Sequence, residues 1–405
     1  MKRVVVTGMG IWSCIGQDLQ TVTESLRQGR SGIIFDPKRI EYGLHSGLVG
    51  NVPRPDLKPL LPRKFRATMS EDAEYAYMAA RQAFEQAGIL DNFLCQNEVG
   101  VIWGSDNVII EKVSSAKILH EEKSSFMLGP NALFSCETSS PSMNLSAIFH
   151  LKGINLSIGA ACASSSHAIG LATTLIRENR QKIIIVGGSN ETSPNLAMLY
   201  DCVGGLSRRN VAPSEASSPF DINVDGFVPS GGAAALVLEE YEHAKARGAH
   251  ILAEVVGYGF SSDGTHILNR NYKQVVVAMK KALVDAQISA AQVDYLNPFA
   301  ASNKYDSVCE AKALSEVFTN ANTLISSTET FTGHEYDMSG AGHAVYTILM
   351  MQNNFVAPMV NLKDVFPEAQ ELNFVTKMQE RDINITMSNS SGTGATNSSI
   401  IFMKI

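Results

Sequence analysis

One cysteine stands where a strand-like run meets a helix-like run, and this is the sequence context of a reactive thiol. Cys162 follows the short apolar stretch 153–159 and precedes small residues that lead into the apolar-periodic stretch 169–176. The order predicts a strand, a tight turn and a helix, with the thiol at the turn. A helix N-terminus and free backbone N–H groups favour the reactive thiolate and can bind a developing oxyanion. The same residues also fit a buried structural cysteine, the usual fate of a free thiol.

Cysteine-based acyl transfer needs a base or hydrogen-bond donor beside the sulfur, and histidine usually serves. Among the nine histidines, His334 lies in a polar, glycine-rich loop, 332–342, that leads into a helical pattern. This context favours an exposed catalytic imidazole, although it also fits a loop histidine without a role. His167 and His343 fall on predicted helices. We interpret His167 as a packing or surface residue and His343 as a structural one.

A flexible turn of small polar residues, 389–397, is the counterpart of the cysteine turn later in the chain. It contains Gly392, Thr393 and Gly394 but no nucleophile with a base of its own. Its glycines either let the backbone pass close to a ligand or make a tight turn. The chain has no Walker loop, no dinucleotide fingerprint and no paired carboxylate motif, so the motifs predict no cofactor.

Composition excludes several other classes of function. The chain has 405 residues, 45% of them hydrophobic, and its net charge of -7 with no basic block argues against nucleic-acid binding. No apolar run reaches the roughly 18 residues that cross a bilayer, and the chain enters a strand-like run without a signal peptide. The six cysteines are scattered without a CxxC pair, so we predict neither disulfides nor a metal site. A reducing, cytoplasmic location fits these features.

The elements that position these residues occur twice along the chain. The helical pattern 75–89 and the pattern 274–288 place small and apolar residues in register, and a strand follows each. Later in each half an apolar strand runs into small residues, at 154–163 and at 383–394. We therefore predict an α/β fold with an internal duplication, in which 1–249 carries Cys162 and 250–405 carries the second-half loops. Two independent α/β domains joined near 213–219 remain the alternative.

Colinear motifs over essentially the whole chain resemble the β-ketoacyl-acyl-carrier-protein synthase family, most closely the bacterial fatty-acid elongation condensing enzymes. They are the stretches 2–10, 26–33, 159–170, 220–227, 241–263, 332–334 and 388–397. The resemblance implies the thiolase fold, with duplicated halves in αβαβα layers, and an obligate dimer. It also implies a cysteine that is acylated from the phosphopantetheine arm of an acyl carrier protein, and no other cofactor. Two histidines and a lysine then support decarboxylation of malonyl-carrier protein.

Carried over by motif, Cys162 matches the nucleophile of the family and His334 matches its second histidine. Phe299 stands where the family has its first histidine, Glu329 replaces the lysine, and Thr393 replaces the gating phenylalanine. The substrate-contacting residues that the resemblance implies are Thr332, Gly392, Thr393 and Gly394. The basic residues that it implies for carrier docking are Arg63, Lys64 and Arg66, although these also fit a solvated helix start.

These departures oppose decarboxylation. The loss of one oxyanion donor typically costs about 2.7–4 kcal/mol, roughly a hundred- to thousandfold in rate. Phe299 can donate nothing, and Glu329 introduces an anion beside the expected site of an anionic malonyl group. We therefore predict a non-catalytic partner that resembles chain-length-factor subunits of type II polyketide systems and pairs with an active ketosynthase as a heterodimer.

Those subunits usually replace the nucleophilic cysteine as well, whereas this chain retains Cys162. The alternative is therefore a homodimeric enzyme that uses Cys162 and His334 for acyl transfer, hydrolysis or an altered condensation. An ordinary elongation synthase is the third possibility.

Overall fold

The computed structural model describes residues 1–266, 270–319 and 321–405. Its α-helices are α1 (Leu19–Gln28), α2 (Pro37–Tyr42), α3 (Arg63–Arg66), α4 (Glu71–Ala87), α5 (Asp91–Gln96), α6 (Ile110–Glu122), α7 (Ala132–Ser135), α8 (Ser140–Phe149), α9 (Ser164–Arg177), α10 (Pro194–Asp201), α11 (Tyr241–Ala246), α12 (Tyr272–Ala286), α13 (Lys304–Phe318), α14 (Glu329–Thr332) and α15 (Ser339–Gln352). Its strands are β1 (Val4–Trp12), β2 (Ile33–Phe35), β3 (Leu48–Gly50), β4 (Val99–Gly104), β5 (Asn155–Ile158), β6 (Ile183–Asn190), β7 (Gly232–Glu240), β8 (Ala253–Ser262), β9 (Tyr295–Asn297), β10 (Leu324–Ile325), β11 (Phe355–Val356), β12 (Gln379–Glu380), β13 (Ile385–Gly392) and β14 (Thr396–Met403).

The main sheet repeats one pairing pattern in its two halves. In the first half the order is β5-β4-β6-β7-β1, where β4 pairs in parallel with β5 and β6, and β7 pairs antiparallel with β6 and β1. In the second half the order is β10-β9-β13-β14-β8, with the same parallel and antiparallel pairs at the corresponding positions. The duplication predicted from the sequence is therefore confirmed.

Helix-on-strand contacts show why the two helical patterns are in register. Gly10 in β1 has no room for a side chain, because a Cβ there would lie 1.9 Å from the carbonyl oxygen of Ala79 in α4. Gly259 in β8 stands in the same relation to Ala278 in α12, at 2.0 Å. Glycine thus lets each helix pack directly onto the first strand of its half. The predicted alignment of 75–89 with 274–288 pairs these same two alanines.

The layers follow from this packing. Helix α4 covers the outer face of the first half, and α12 with α13 covers the outer face of the second. Helices α9 and α15 pack on each other between the halves, and both contribute side chains to the largest hydrophobic cluster. Strands β1 and β8 join the halves edge to edge, where Val5 pairs with Glu254 and Val6 with Ala253. This is the predicted αβαβα order, and it brings the N-termini of α9 and α15 close together.

Candidate active site

The strand, turn and helix predicted around the cysteine are present. A 3₁₀ turn, Ala161–Ala163, carries Cys162 between β5 and the first residue of α9. Ala161 adopts a φ of 48°, in the left-handed region that few non-glycine residues enter, and such strain concentrates at functional turns. The Ser164 hydroxyl braces the turn, because it accepts the backbone N–H of Ala160 at 2.8 Å. Cys162 is buried but lines a cavity.

His334 comes to the thiol from the second half of the chain. Its backbone N–H donates to the carbonyl oxygen of Val228 at 2.8 Å, and its own carbonyl accepts the N–H of Ser230 at 2.9 Å. These bonds fix the loop, so that Nε2 of His334 lies 3.0 Å from Sγ of Cys162. The thiol and the imidazole are therefore within direct hydrogen-bonding reach, the geometry that a nucleophile and its base require. The imidazole is buried, however, and not exposed as its glycine-rich context suggested.

Glu329 holds the other side of the imidazole. Its Oε1 lies 3.2 Å from Nδ1 of His334, and its side chain is 1% exposed. Cys162, His334 and Glu329 thus follow one another as thiol, imidazole and carboxylate, which is the order of side chains in a catalytic triad. We expected from the sequence that Glu329 would face the malonyl site. The structure instead places it behind His334, and it is not among the residues that line the cavity.

Glu329 and His334 bias each other's protonation. Burial by itself would raise the pKa of Glu329, but the nearby imidazoles of His334 and His343 lower it to about 2. Burial likewise would lower the pKa of His334, whereas the charges of Cys162 and Glu329 raise it well above its usual range. The arrangement therefore favours an imidazolium at His334 beside an ionised Glu329.

Phe299 occupies the wall of the cavity where the resemblance implies an imidazole. Its ring centre lies 5.6 Å from that of His334 in an edge-to-face arrangement, and the side chain is 3% exposed. A hydrocarbon edge offers no strong donor to an enolate oxygen. Of the groups that the resemblance implies, this site keeps the thiol and one imidazole.

The cavity beside Cys162 has a volume of about 180 Å³ and is lined in part by Tyr200, Phe227, Phe299 and Thr393. Arg270 and Tyr305 line both this cavity and a neighbouring pocket of about 500 Å³ that opens to the surface. The two spaces therefore adjoin at these side chains.

The other predicted contact residues lie in different places. Thr393 lines the cavity, whereas Gly392 packs on the cysteine turn, where a Cβ would lie 2.4 Å from the Ala160 carbonyl oxygen. Gly394 has a φ of 90°, which glycine tolerates best. Thr332 is fully buried, and its hydroxyl donates to the carbonyl oxygen of Gly333, so it is not among the lining residues.

The predicted docking residues form the short helix α3. Arg63 and Lys64 are exposed, whereas Arg66 is half-buried and its Nε donates to the carbonyl oxygen of Leu61 at 3.0 Å. Two cationic side chains of this helix thus face solvent.

Sequence reasoning missed residues that tertiary packing brings to the site. Arg270 and Tyr200 line the cavity from stretches that no local motif marks, and Phe227 ends the motif 220–227, to which we had assigned no site role. His343, interpreted as structural, contacts Glu329. Its one signal in the sequence was the presence of a second histidine shortly after His334.

Metal ligation and membrane insertion find no support in the part of the chain that the structure describes. None of the six cysteines is in a disulfide, and no cluster of His, Cys, Asp or Glu side chains there is arranged to hold a metal ion. Within the same residues, none of the helices combines the length and apolarity that crossing a bilayer requires.

Two protein-family models together match most of the chain. Residues 1–244 match the family model for the N-terminal domain of β-ketoacyl synthases, and residues 252–363 match the model for their C-terminal domain. The chain is 38% identical to 3-oxoacyl-[acyl-carrier-protein] synthase 1 of Escherichia coli, over the full length of both proteins.

Solved structures show the same similarity. A β-ketoacyl synthase from Burkholderia phymatum matches over the full length of both chains with a TM-score of 0.94 and 33% identity. A type II polyketide ketosynthase bound to a hexaketide, in complex with its acyl-carrier protein, matches with a TM-score of 0.88 and 25% identity, over 100% of this chain and 99% of that one. The predicted thiolase fold is thereby confirmed.

Proposed function

Since the chain belongs to the β-ketoacyl synthase family, we propose that it transfers acyl groups from a carrier-protein thioester to Cys162. The acyl group would arrive on the phosphopantetheine arm of an acyl carrier protein, the donor that the names of its relatives indicate. A homodimer using Cys162 and His334 is the corresponding assembly. This differs from our first interpretation of the sequence, which favoured a non-catalytic partner.

One observation carries the proposal, namely the complete set of acyl-transfer groups in one chain. Cys162 Sγ lies 3.0 Å from His334 Nε2, and His334 Nδ1 lies 3.2 Å from Glu329 Oε1. The thiolate attacks the thioester carbonyl and forms a tetrahedral intermediate. When the carbon–sulfur bond to phosphopantetheine breaks, the imidazolium gives its proton to the departing thiolate. The products are acyl-Cys162 and the free thiol of the carrier, and Glu329 holds the imidazole throughout.

Decarboxylation is a separate step with different requirements. The enolate oxygen of a decarboxylating malonyl thioester needs hydrogen-bond donors, and Phe299 supplies none. We therefore propose that Cys162 is acylated readily and that this chain decarboxylates malonyl-carrier protein slowly. The acyl group would then pass to water, to another thiol or amine, or to an enolate that a partner generates.

Phe299 also favours a second candidate function, that of a chain-length-factor-like subunit. In that case the chain pairs with an active ketosynthase and shapes the tunnel for the growing acyl chain, and its own thiol is idle. The intact contacts among Cys162, His334 and Glu329 favour the first function, because an idle site needs none of them.

Acylation of Cys162 separates the two functions. The purified protein is incubated with acyl-carrier protein, and the Cys162 peptide is followed by mass spectrometry beside a Cys162→Ala variant. We expect the acyl mass on that peptide in the wild type and none in the variant. Absence of acyl-Cys162, together with co-purification of a ketosynthase that retains both histidines, would favour the subunit role instead.

We also propose that the exposed cations of α3 bind the acidic carrier protein. Arg63 and Lys64 give this face a positive charge on a chain whose net charge is -7. Replacing both with glutamate should raise the KM for acyl-carrier protein and leave transfer from a small acyl thioester unchanged. Equal KM values for the carrier in both proteins would refute this docking site.

A further inference from the structure

The surface pocket that adjoins the Cys162 cavity is positively charged. It has a volume of about 500 Å³, and the described residues that line it include the cations Arg270, Lys304 and Lys312 but no acid. Lys304 and Lys312 are eight residues apart on α13, about two helical turns, and so project from the same side of the helix. Both are exposed, and neither forms an ion pair with any residue that the structure describes. Two lysines are therefore available to an anionic ligand in this pocket.

Arg270 lies between this pocket and the thiol. It lines both spaces, and its side chain is only 9% exposed. A guanidinium has five N–H donors, yet Nε of Arg270 has no hydrogen-bond partner, and Nη2 reaches Oδ1 of Asn397 only at 3.4 Å. The carboxylates of Asp263 and Asp306 lie 3.7 and 3.5 Å from the guanidinium, and neither lines the outer pocket. A buried cation with donors to spare suits a ligand that brings acceptor oxygens.

The remaining wall of the pocket adds a helix N-terminus and aromatic rings. Lys304 is the first residue of α13, a helix of 15 residues that Asn303 caps. The N-terminus of a helix carries about half a positive charge and favours phosphate groups. Tyr272 and Tyr305 also line the pocket, and Tyr305 is 54% exposed. Aromatic side chains of this kind offer faces on which a nucleotide base can stack.

One class of thioester matches this combination of charge and rings. Coenzyme A carries the same pantetheine arm as an acyl carrier protein, but the arm ends in adenosine with a 5′-diphosphate and a 3′-phosphate. A carrier protein presents the arm with a single phosphate and no base. Several cations, a helix N-terminus and exposed phenol rings therefore fit the nucleotide end of coenzyme A better than the single phosphate of a carrier arm.

We propose that this pocket binds the nucleotide end of a coenzyme A thioester, so that Cys162 takes acyl groups from coenzyme A as well as from a carrier protein. The proposal rests on the proposed acyl transfer and names a second donor for it. The thiolate of Cys162 attacks the thioester carbonyl, and the carbon–sulfur bond to coenzyme A breaks. The imidazolium of His334 gives its proton to the departing thiolate, and the products are acyl-Cys162 and coenzyme A.

Binding of the nucleotide end alone tests the pocket without any acyl transfer. Adenosine 3′,5′-bisphosphate is titrated into the wild type and into Lys304→Glu/Lys312→Glu by calorimetry at low ionic strength. We expect the wild type to bind it, and the double variant to bind it at least about tenfold more weakly, because each reversal removes an attraction and adds a repulsion. Added salt should also weaken binding to the wild type, since the lysines are exposed.

A matched variant controls for net charge. Lys38→Glu/Lys377→Glu makes the same change of charge at two exposed positions that do not line the pocket, and it should bind like the wild type. Thermal unfolding shows that each variant is folded. A wild type that does not bind the bisphosphate would overturn the proposal. Equal binding by a folded Lys304→Glu/Lys312→Glu variant, or equal weakening in the control, would overturn it too.

Acylation then identifies the donor. The mass of the Cys162 peptide is followed with acetyl-coenzyme A, acetyl-phosphopantetheine and acetyl-pantetheine, whose small acyl group suits the cavity of about 180 Å³ beside the thiol. The reversal of both lysines should raise the KM for acetyl-coenzyme A about tenfold and leave that for acetyl-pantetheine unchanged. An equal rise for acetyl-phosphopantetheine would overturn the assignment to coenzyme A, since the pocket would then bind the single phosphate that a carrier arm also bears.

Failure of this proposal is distinguishable from failure of the proposed function. If the wild type binds the bisphosphate and the reversal variant does not, while no thioester acylates Cys162, the nucleotide site stands and acyl transfer is wrong. If acyl-carrier protein acylates Cys162 while the bisphosphate does not bind, acyl transfer stands and the nucleotide site is wrong.

Discussion

Replacing Phe299 with histidine should restore decarboxylation of malonyl-carrier protein. Phe299 stands in the wall of the Cys162 cavity, and its ring centre lies 5.6 Å from that of His334. An imidazole in this place would aim a second N–H donor at the same small space as His334. The wild type has one such imidazole donor, whereas Phe299→His would have two.

The size of the effect follows from the number of donors gained. One oxyanion donor contributes about 2.7–4 kcal/mol to transition-state stabilisation. Since about 1.36 kcal/mol corresponds to a tenfold change in rate, release of CO2 should rise roughly a hundred- to thousandfold. The melting temperature should fall at the same time, because Phe299 is 3% exposed and packs among apolar side chains.

Release of radiolabelled CO2 from malonyl-carrier protein measures this directly. Phe299→Leu is the first control, since it removes the ring without adding a donor. Phe227→His is the second, because the Phe227 ring also lies edge-on to His334, at 5.4 Å, but comes from another loop. An increase of similar size in either control, or none in Phe299→His, would refute the assignment of the missing donor to residue 299.

Three further predictions concern the buried carboxylates. Glu329→Gln should slow acylation of Cys162 by about ten- to a hundred-and-fifty-fold, because it removes a charge-assisted hydrogen bond worth about 1.5–3 kcal/mol. Single-turnover kinetics measured against pH should also show the acid side of the pH–rate profile shifted to higher pH. An unchanged rate would contradict the triad. Glu329→Lys should lower the melting temperature, because it places a cation beside His334 and His343. Adding His343→Glu should restore the melting temperature, and a double-mutant cycle that compares the two single variants with the double variant tests this. Burial raises the pKa of Glu335 to about 8, so this carboxyl group lowers the stability of the fold as pH rises from its unfolded pKa of about 4.5 through 8. Glu335→Gln should therefore raise the melting temperature at about pH 8 more than at about pH 5. Equal gains at the two pH values would be evidence against the raised pKa of Glu335.

The repeated helical pattern made the duplicated α/β fold predictable from the sequence, and the family resemblance implied the thiolase fold. The two helical patterns carry small residues at the same positions, because each helix packs on a glycine-containing strand. The turn around Cys162 was likewise local, since small residues are needed where a strand feeds directly into a helix. These features depend on neighbours in the chain, and the sequence therefore displays them.

The interior of the site depends on residues distant in the chain, and the sequence displayed less of it. Glu329 looked like an anion beside the substrate, because sequence alone does not show that α14 turns its side chain behind His334. His343 looked structural for the same reason, since its proximity to Glu329 arises from the packing of α15. The motifs predicted which residues had changed but not how the changed residues contact one another.

The most direct test of the account measures acylation and decarboxylation in one reaction of the purified wild type with acyl-carrier protein and malonyl-carrier protein. The triad predicts rapid formation of acyl-Cys162, and Phe299 predicts CO2 release that is slow beside it and beside the Phe299→His variant. A wild type that releases CO2 as fast as Phe299→His, or one whose Cys162 stays unacylated, would contradict the account.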